Sequence, residues 1–190
     1  MPWRNGRGST TELLVSPAGA SLETFDFRLS MAQLEGPAPF SAFPGIDRLL
    51  LMLEGRVRLE IEGAPSICCE PEQDAIAFGG EQAVSATPLG SEPAATDLNL
   101  MIRRGRYRGA LRQLPISARE RWQPAGTINA LLCRHGSVSF EAETGGADES
   151  AGRGRLEHND VLLVDGHDPG ALVLTAQPGA QVYLAELFHL

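Results

Sequence analysis

The tract Asp47-Arg48-Leu49-Leu50-Leu51-Met52-Leu53-Glu54-Gly55-Arg56-Val57-Arg58-Leu59-Glu60-Ile61-Glu62-Gly63 constrains the fold most, because a weaker copy follows about eighty residues later. With Gly55 set on Gly136, Val57, Leu59 and Ile61 fall on Val138, Phe140 and Ala142, while Glu60 and Glu62 fall on Glu141 and Glu143. Each copy is an apolar run, a Gly-bearing turn and then strict alternation of apolar and polar residues. Alternation sends successive side chains to opposite sheet faces, so each copy reads as a strand, a turn and a half-buried strand. The copies continue: Asp74-Ala75-Ile76-Ala77-Phe78 precedes Gly79-Gly80, and Asp160-Val161-Leu162-Leu163-Val164 precedes Asp165-Gly166. Each half closes on another strand-like run, 96–102 and 180–188. Residues 144–155 are Gly-rich without periodicity and read as an inserted surface loop. A duplicated β-unit points to a double β-barrel, with one barrel over 1–105 and the other over 106–190, and narrows function to a pocket inside one of them.

Composition sets limits on that function. The chain of 190 residues has a formal charge of −8, which argues against nucleic acid or a membrane surface as the main partner. All sixteen basic residues are Arg. The cysteines, Cys68, Cys69 and Cys133, have no CxxC spacing, and the start Met1-Pro2-Trp3-Arg4-Asn5-Gly6 has no apolar leader core. Together they suggest a cytoplasmic protein with reduced thiols. Helix signals are scarce. Only 30–35 has any helical reading, and it suits a strand ending before Gly36-Pro37 equally well. Residues 103–122 carry seven arginines against Glu120 and read as a charged crossing between barrels, or as a surface for an anionic partner.

Four N-terminal blocks are hard to explain as packing. They are Trp3-Arg4-Asn5-Gly6-Arg7-Gly8-Ser9-Thr10-Thr11-Glu12, Phe25-Asp26-Phe27-Arg28-Leu29-Ser30-Met31-Ala32, Pro39-Phe40-Ser41-Ala42-Phe43-Pro44-Gly45-Ile46-Asp47-Arg48 and Thr96-Asp97-Leu98-Asn99-Leu100-Met101-Ile102-Arg103-Arg104. In this order they resemble the HutD/Ves family. The family commonly has Lys where Arg4 stands, Gly where Arg7 stands and Trp where Phe27 stands. The resemblance implies an all-β, RmlC-like bicupin, two cupin-like barrels in one chain, without an established catalytic activity. It also implies an association with histidine utilisation, and a breakdown intermediate such as N-formylglutamate as the signal. The Ves branch implies a stress-related relative instead.

Cupin barrels often hold a metal on a His/His/Glu/His set. Here the histidines are His135, His158, His167 and His189, all in the second half and without an HxH pair, so no metal and no cofactor are expected. No Gly-x-Ser-x-Gly elbow, Cys–His arrangement or phosphate-binding loop is visible. What remains is polar. Alternation puts Asp26, Arg28 and Ser30 on one face and Asp97, Asn99 and Met101 on one face. If these faces point inward, Arg28 with Asp26 or Asp97 forms a self-neutralising set, and a carboxylate ligand competes for the guanidinium by a bidentate contact. Asp47-Arg48 is either a structural pair at a strand entry or ligand-facing. Trp3, Phe40 and Phe43 are either packing residues or wall. The expected ligand set is Asn5, Glu12, Arg28, Phe40, Arg48, Phe78 and Asn99, around a small acidic metabolite. The second barrel is left as support or as an association surface, for instance of a homodimer. The rivals are a metal-independent isomerase-like enzyme, using Glu12, Asp26, Asp47 or Asp97 as acid and base, and an interaction protein.

Overall fold

The computed structural model describes residues 1–3, 6–90, 94–143, 152–166 and 170–190. Every regular element among them is a β-strand, and none of them forms a helix long and apolar enough to cross a membrane. The chain divides into two compact units, Met1–Gly109 with Leu190, and Ala110–His189.

The first unit holds β1 (Gly8–Ser16), β2 (Phe27–Leu34), β3 (Ala38–Pro39), β4 (Ile46–Glu54), β5 (Arg56–Ile61), β6 (Ile67–Cys69), β7 (Ile76–Gly79), β8 (Val84–Leu89) and β9 (Ala95–Arg103). They form two sheets, β1-β2-β9-β4-β7 and β3-β8-β5-β6. The second unit is built from β10 (Tyr107–Gln113), which begins just before the boundary, β11 (Arg119–Trp122), β12 (Ile128–His135), β13 (Val138–Ala142), β14 (Arg153–Leu156), β15 (Val161–Asp165), β16 (Leu172–Ala176) and β17 (Gln181–His189). Its sheets run β10-β17-β12-β15 and β11-β16-β13-β14. Each number is eight above its counterpart in the first unit, and only β1 lacks a counterpart.

Local geometry repeats as closely as topology does. Strict alternation in Arg56–Ile61 becomes strict alternation of exposure, with Val57, Leu59 and Ile61 buried. Gly55 and Gly136 both turn with positive φ, 71° and 72°. A Cβ on either would press on Ala95 or Ala180 at 3.0–3.2 Å, so only glycine suits both demands. The ladder slips once at the same place in each copy, between Met52 and Glu54 and between Cys133 and His135. Inside the first unit, Leu34, Leu50, Met52, Val57, Leu59, Phe78 and Val84 pack as one apolar cluster. Inside the second, Trp122, Leu131, Cys133, Val138, Leu174, Val182 and Leu184 do the same.

Several expectations change. Residues 30–34 are strand, not helix, and end β2 before Gly36. The crossing read at 103–122 contains β10 and β11, and several of its arginines are engaged. Arg103 donates to the Glu23 and Phe25 carbonyls at 2.8 Å, Arg104 holds Asp47 at 2.7 Å and Glu81 at 2.9 Å, and Arg121 holds Glu143 at 2.7 Å. Asp47 and Arg48 are not a pair, because neighbours on a strand face opposite ways and Asp47 is taken by Arg104. The loop read over 144–155 ends in β14, while 144–151 lie outside the described residues. The short strands β6, β8, β14 and β16 escape a sequence reading because ICC, VSATPL, RGRL and LVLTA carry no strong apolar–polar alternation.

Candidate functional site

Residues directly opposite on antiparallel strands share a face, so the ladder shows which side chains stand in a row. Three rows cross the inner face of the first unit's larger sheet. Thr10, Ala32, Asp97 and Met52 form one, and Glu12, Ser30, Asn99, Leu50 and Ile76 the next. Val15, Arg28, Met101, Arg48 and Phe78 form the third. Leu50 and Met52 carry these rows into the apolar cluster, whereas Arg28, Ser30, Asp97, Asn99 and Arg48 border a cavity of about 770 Å³. The two arginines stand on strands separated by β9 alone, about 10 Å apart at the backbone, on either side of Met101. Met1–Trp3, Phe40, Ser41 and Phe43 complete the wall. Trp3 is held by its indole N–H donating to Thr10 Oγ1 at 2.8 Å and its backbone N–H donating to the Gly8 carbonyl at 2.8 Å. A Cβ on Gly8 would collide with the Gln33 carbonyl and meet the Trp3 ring at 3.0 Å, so glycine permits the N-terminal segment to lie here.

The two guanidiniums, each only 6% exposed, are held in different ways. Arg28 Nε donates to Glu12 at 2.8 Å and its Nη1 to Ser30 Oγ at 3.3 Å. Arg48 lies between aromatic faces, 4.8 Å from Phe40 and 5.1 Å from Phe78, with Phe43 at 6.0 Å. Such contacts reach about 2 kcal/mol when desolvated. It donates a long hydrogen bond, 3.5 Å, to the Ser41 carbonyl, and its Nε has no partner among the described residues. Burial lowers the Arg48 guanidinium to about 10, against the opposing pull of Asp97. Asp97 is 1% exposed, and burial pushes its carboxyl up to about 7 despite the nearby Arg48 charge. Asp97 Oδ1 and Asn99 Oδ1 are buried and unpartnered among the described residues.

Of the residues expected to form the site, Arg28, Arg48, Asn99 and Phe40 lie on the cavity wall. Phe78 does not line it but backs Arg48 from the apolar cluster, 6.2 Å from the Phe40 ring. Glu12 is half-exposed and reaches the cavity only through Arg28. Asn5 lies outside the described residues. Neither Asp26 nor Asp97 pairs with Arg28. The strand begins at Phe27, and Asp26 faces Arg106 at 3.7 Å. The partner is Glu12, which opposes Ser30 and so stands diagonally across from Arg28. Asp97 was absent from the expected set, although its alternation with Asn99 carried the signal.

The wall offers one carboxylate and no histidine beside two guanidiniums, a donor set that does not suit a metal ion. Among the described residues no group of three or more His, Cys, Asp and Glu converges on a metal position. His135 and His158 stack at 5.6 Å in the second unit, well apart in sequence from any cavity residue named here.

Comparison with known proteins agrees with this architecture. The chain is 36% identical over 167 residues to an uncharacterised 21.2 kDa protein of the hutC 3' region of Pseudomonas putida, covering 86% of this chain and 84% of that one. It is 37% identical over 111 residues to protein Ves of Citrobacter koseri, 58% of this chain and 56% of that one. Among solved structures, a conserved protein of unknown function from Pseudomonas aeruginosa PAO1 superposes with a TM-score of 0.84 at 32% identity, covering 99% of this chain and 93% of that one. HutD from Pseudomonas fluorescens SBW25, in a formate condition, gives 0.76 at 28% identity over 100% and 93%. A cupin 2 barrel protein of Leptotrichia buccalis gives 0.55 at 9% identity over 96% and 89%, a likeness of fold alone that makes both units cupin-like barrels. With the HutD family profile matching residues 1–184, the chain belongs to the HutD family.

Proposed function

We propose that the first barrel binds a small acidic metabolite, such as N-formylglutamate, and that the protein acts as a sensor or modulator of histidine utilisation. The observation that carries this reading is Arg48, a buried cation on a cavity wall, braced by rings instead of a carboxylate and with an unpaired Nε. A guanidinium takes a carboxylate in two parallel hydrogen bonds, and such pairing strengthens out of water. Arg28 adds a second cation, already half-neutralised by Glu12. The relative in the hutC 3' region and the HutD structure obtained in a formate condition lend support, formate being the smallest carboxylate. A formal charge of −8 disfavours non-specific attraction to nucleic acid and anionic membranes and so supports a small-molecule partner. Calorimetric titration of the full chain with N-formylglutamate, urocanate and glutarate tests the proposal. Binding that Arg48→Met weakens at least ten-fold is the expected result, and silence from every acid at millimolar concentration ends it.

Asp97 favours a second reading, metal-independent acid–base catalysis. A carboxyl held near 7 in a cavity has the proton affinity a general acid or base needs at neutral pH. Solvent deuterium appearing at carbon in a bound acid, and lost in Asp97→Asn, would move the assignment from sensor to enzyme.

A further inference from the structure

Two arginines account for an anion but not for the rest of this wall. Asp97 Oδ1 and Asn99 Oδ1 are buried acceptors without partners among the described residues, on one face of β9 and both bordering the cavity. Unpaired buried polar atoms are rare in native proteins, and each calls for an explanation. In Asp97 both polar side-chain atoms are oxygens, so no amide orientation enters, and the group keeps an acceptor oxygen whether ionised or protonated.

The frame itself does not require these groups. Leu50 faces Asn99, and its repeat partner Leu131 faces Leu184. Met52 faces Asp97, and its repeat partner Cys133 faces Val182. The same chain therefore builds the same ladder with Val and Leu at these two positions, both within 1% of full burial and packed in the second core. The acceptors of the first barrel are additions to a frame that stands without them.

Resting on the small-acid reading above, we infer that Asp97 and Asn99 form a donor-reading subsite, so that the ligand is an acid carrying a neutral N–H, of amide or azole type, beside its carboxylate. The carboxylate meets Arg48, with Arg28 alongside, and the N–H donates to the oxygens of β9. A neutral donor fits better than an ammonium group, since two guanidiniums already border the space. Plain dicarboxylates leave the acceptors unpaired, and a site built to accept a ligand N–H discriminates strongly against analogues lacking it.

The experiment titrates the full chain with N-formylglutamate and urocanate, each beside its N-methylated form, and with glutarate. Whichever N–H acid binds is expected to do so at least ten-fold more tightly than its methylated partner and than glutarate. Asp97→Val/Asn99→Leu, which copies the second barrel, is expected to abolish that preference, each N–H acid then binding no more tightly than its methylated partner. Equal affinity within the pairs, preference surviving in the variant, or binding of glutarate alone overturns the subsite and leaves the small-acid reading standing. Binding of none of the five acids removes both. Should the double variant fail to give a cooperative urea transition, the wild-type pairs and Asn99→Leu decide the matter.

Discussion

The two barrels share strand order, turn glycines, an apolar cluster and even the position of a ladder slip, yet they differ at the positions that border the first barrel's cavity. Where the first has Asp97 and Asn99, the second has Val182 and Leu184 in a dry cluster. Where the first has Arg48 among rings, the second has Asn129, whose amide both donates to and accepts from Gly126 at 2.8 and 2.9 Å. Where Met101 separates two arginines, the second has Glu186 with Arg112 at 3.4 Å. At these matched positions Asn129 and Glu186 of the second barrel are bonded, whereas Asp97 Oδ1, Asn99 Oδ1 and Arg48 Nε of the first have no partner among the described residues. A duplicated fold thus separates the residues that make the barrel from those that give it a task.

Carrying the first interior into the second makes the sharpest break in this comparison. Val182→Asp buries a carboxylate with no cation across the ladder, and a loss of about 4 kcal/mol or more is expected in urea unfolding. A loss below about 1 kcal/mol would mean that Val182 is not buried in an apolar cluster as described. Asp97 gives the next largest effect, through pH. Its carboxyl rises from an ordinary 3.8 to about 7, so between these values the folded state holds a proton that the unfolded state has released. The contribution is fully present below about pH 4 and fades as pH rises to about 7, bounded near 4 kcal/mol at about 1.4 kcal/mol per pH unit. Stability of wild type minus Asp97→Asn should therefore fall from pH 4 to pH 8, and a flat difference would show that the carboxyl is not displaced. Gly55→Ala and Gly136→Ala test the shared frame. Each forces a side chain onto positive φ against a facing alanine, and each should cost about 1–3 kcal/mol; a cost confined to one copy would show the hairpins are not equivalent. Glu12→Gln is expected to be smallest in thermal melts, about 0–1 kcal/mol, since its carboxylate is 42% exposed and screened.

Periodicity made the barrels legible, because apolar alternation beside a turn glycine survives duplication even when residue types drift, as from Leu59 to Phe140. It also placed Asp97, Asn99 and Met101 on one face without telling which face was inward. That choice depends on what covers each side of β9, which is buried along both faces. The Arg28–Glu12 pair was hidden for another reason. Its members are sixteen residues apart in sequence and meet only across the β1–β2 ladder, whose register no one-dimensional pattern records. The arginines of 103–122 read as a charged crossing because charge density records neither strands nor partners, whereas Arg103 donates to backbone carbonyls and Arg104 to carboxylates earlier in the chain.

The placement of the two tryptophans has a practical consequence. Trp3 borders the cavity, and Trp122 sits in the second core at 7% exposure. Occupancy should alter the emission of the first indole while the second stays constant, an internal reference in the same spectrum. A Trp122→Phe protein would then report ligand entry by intrinsic fluorescence, without any label.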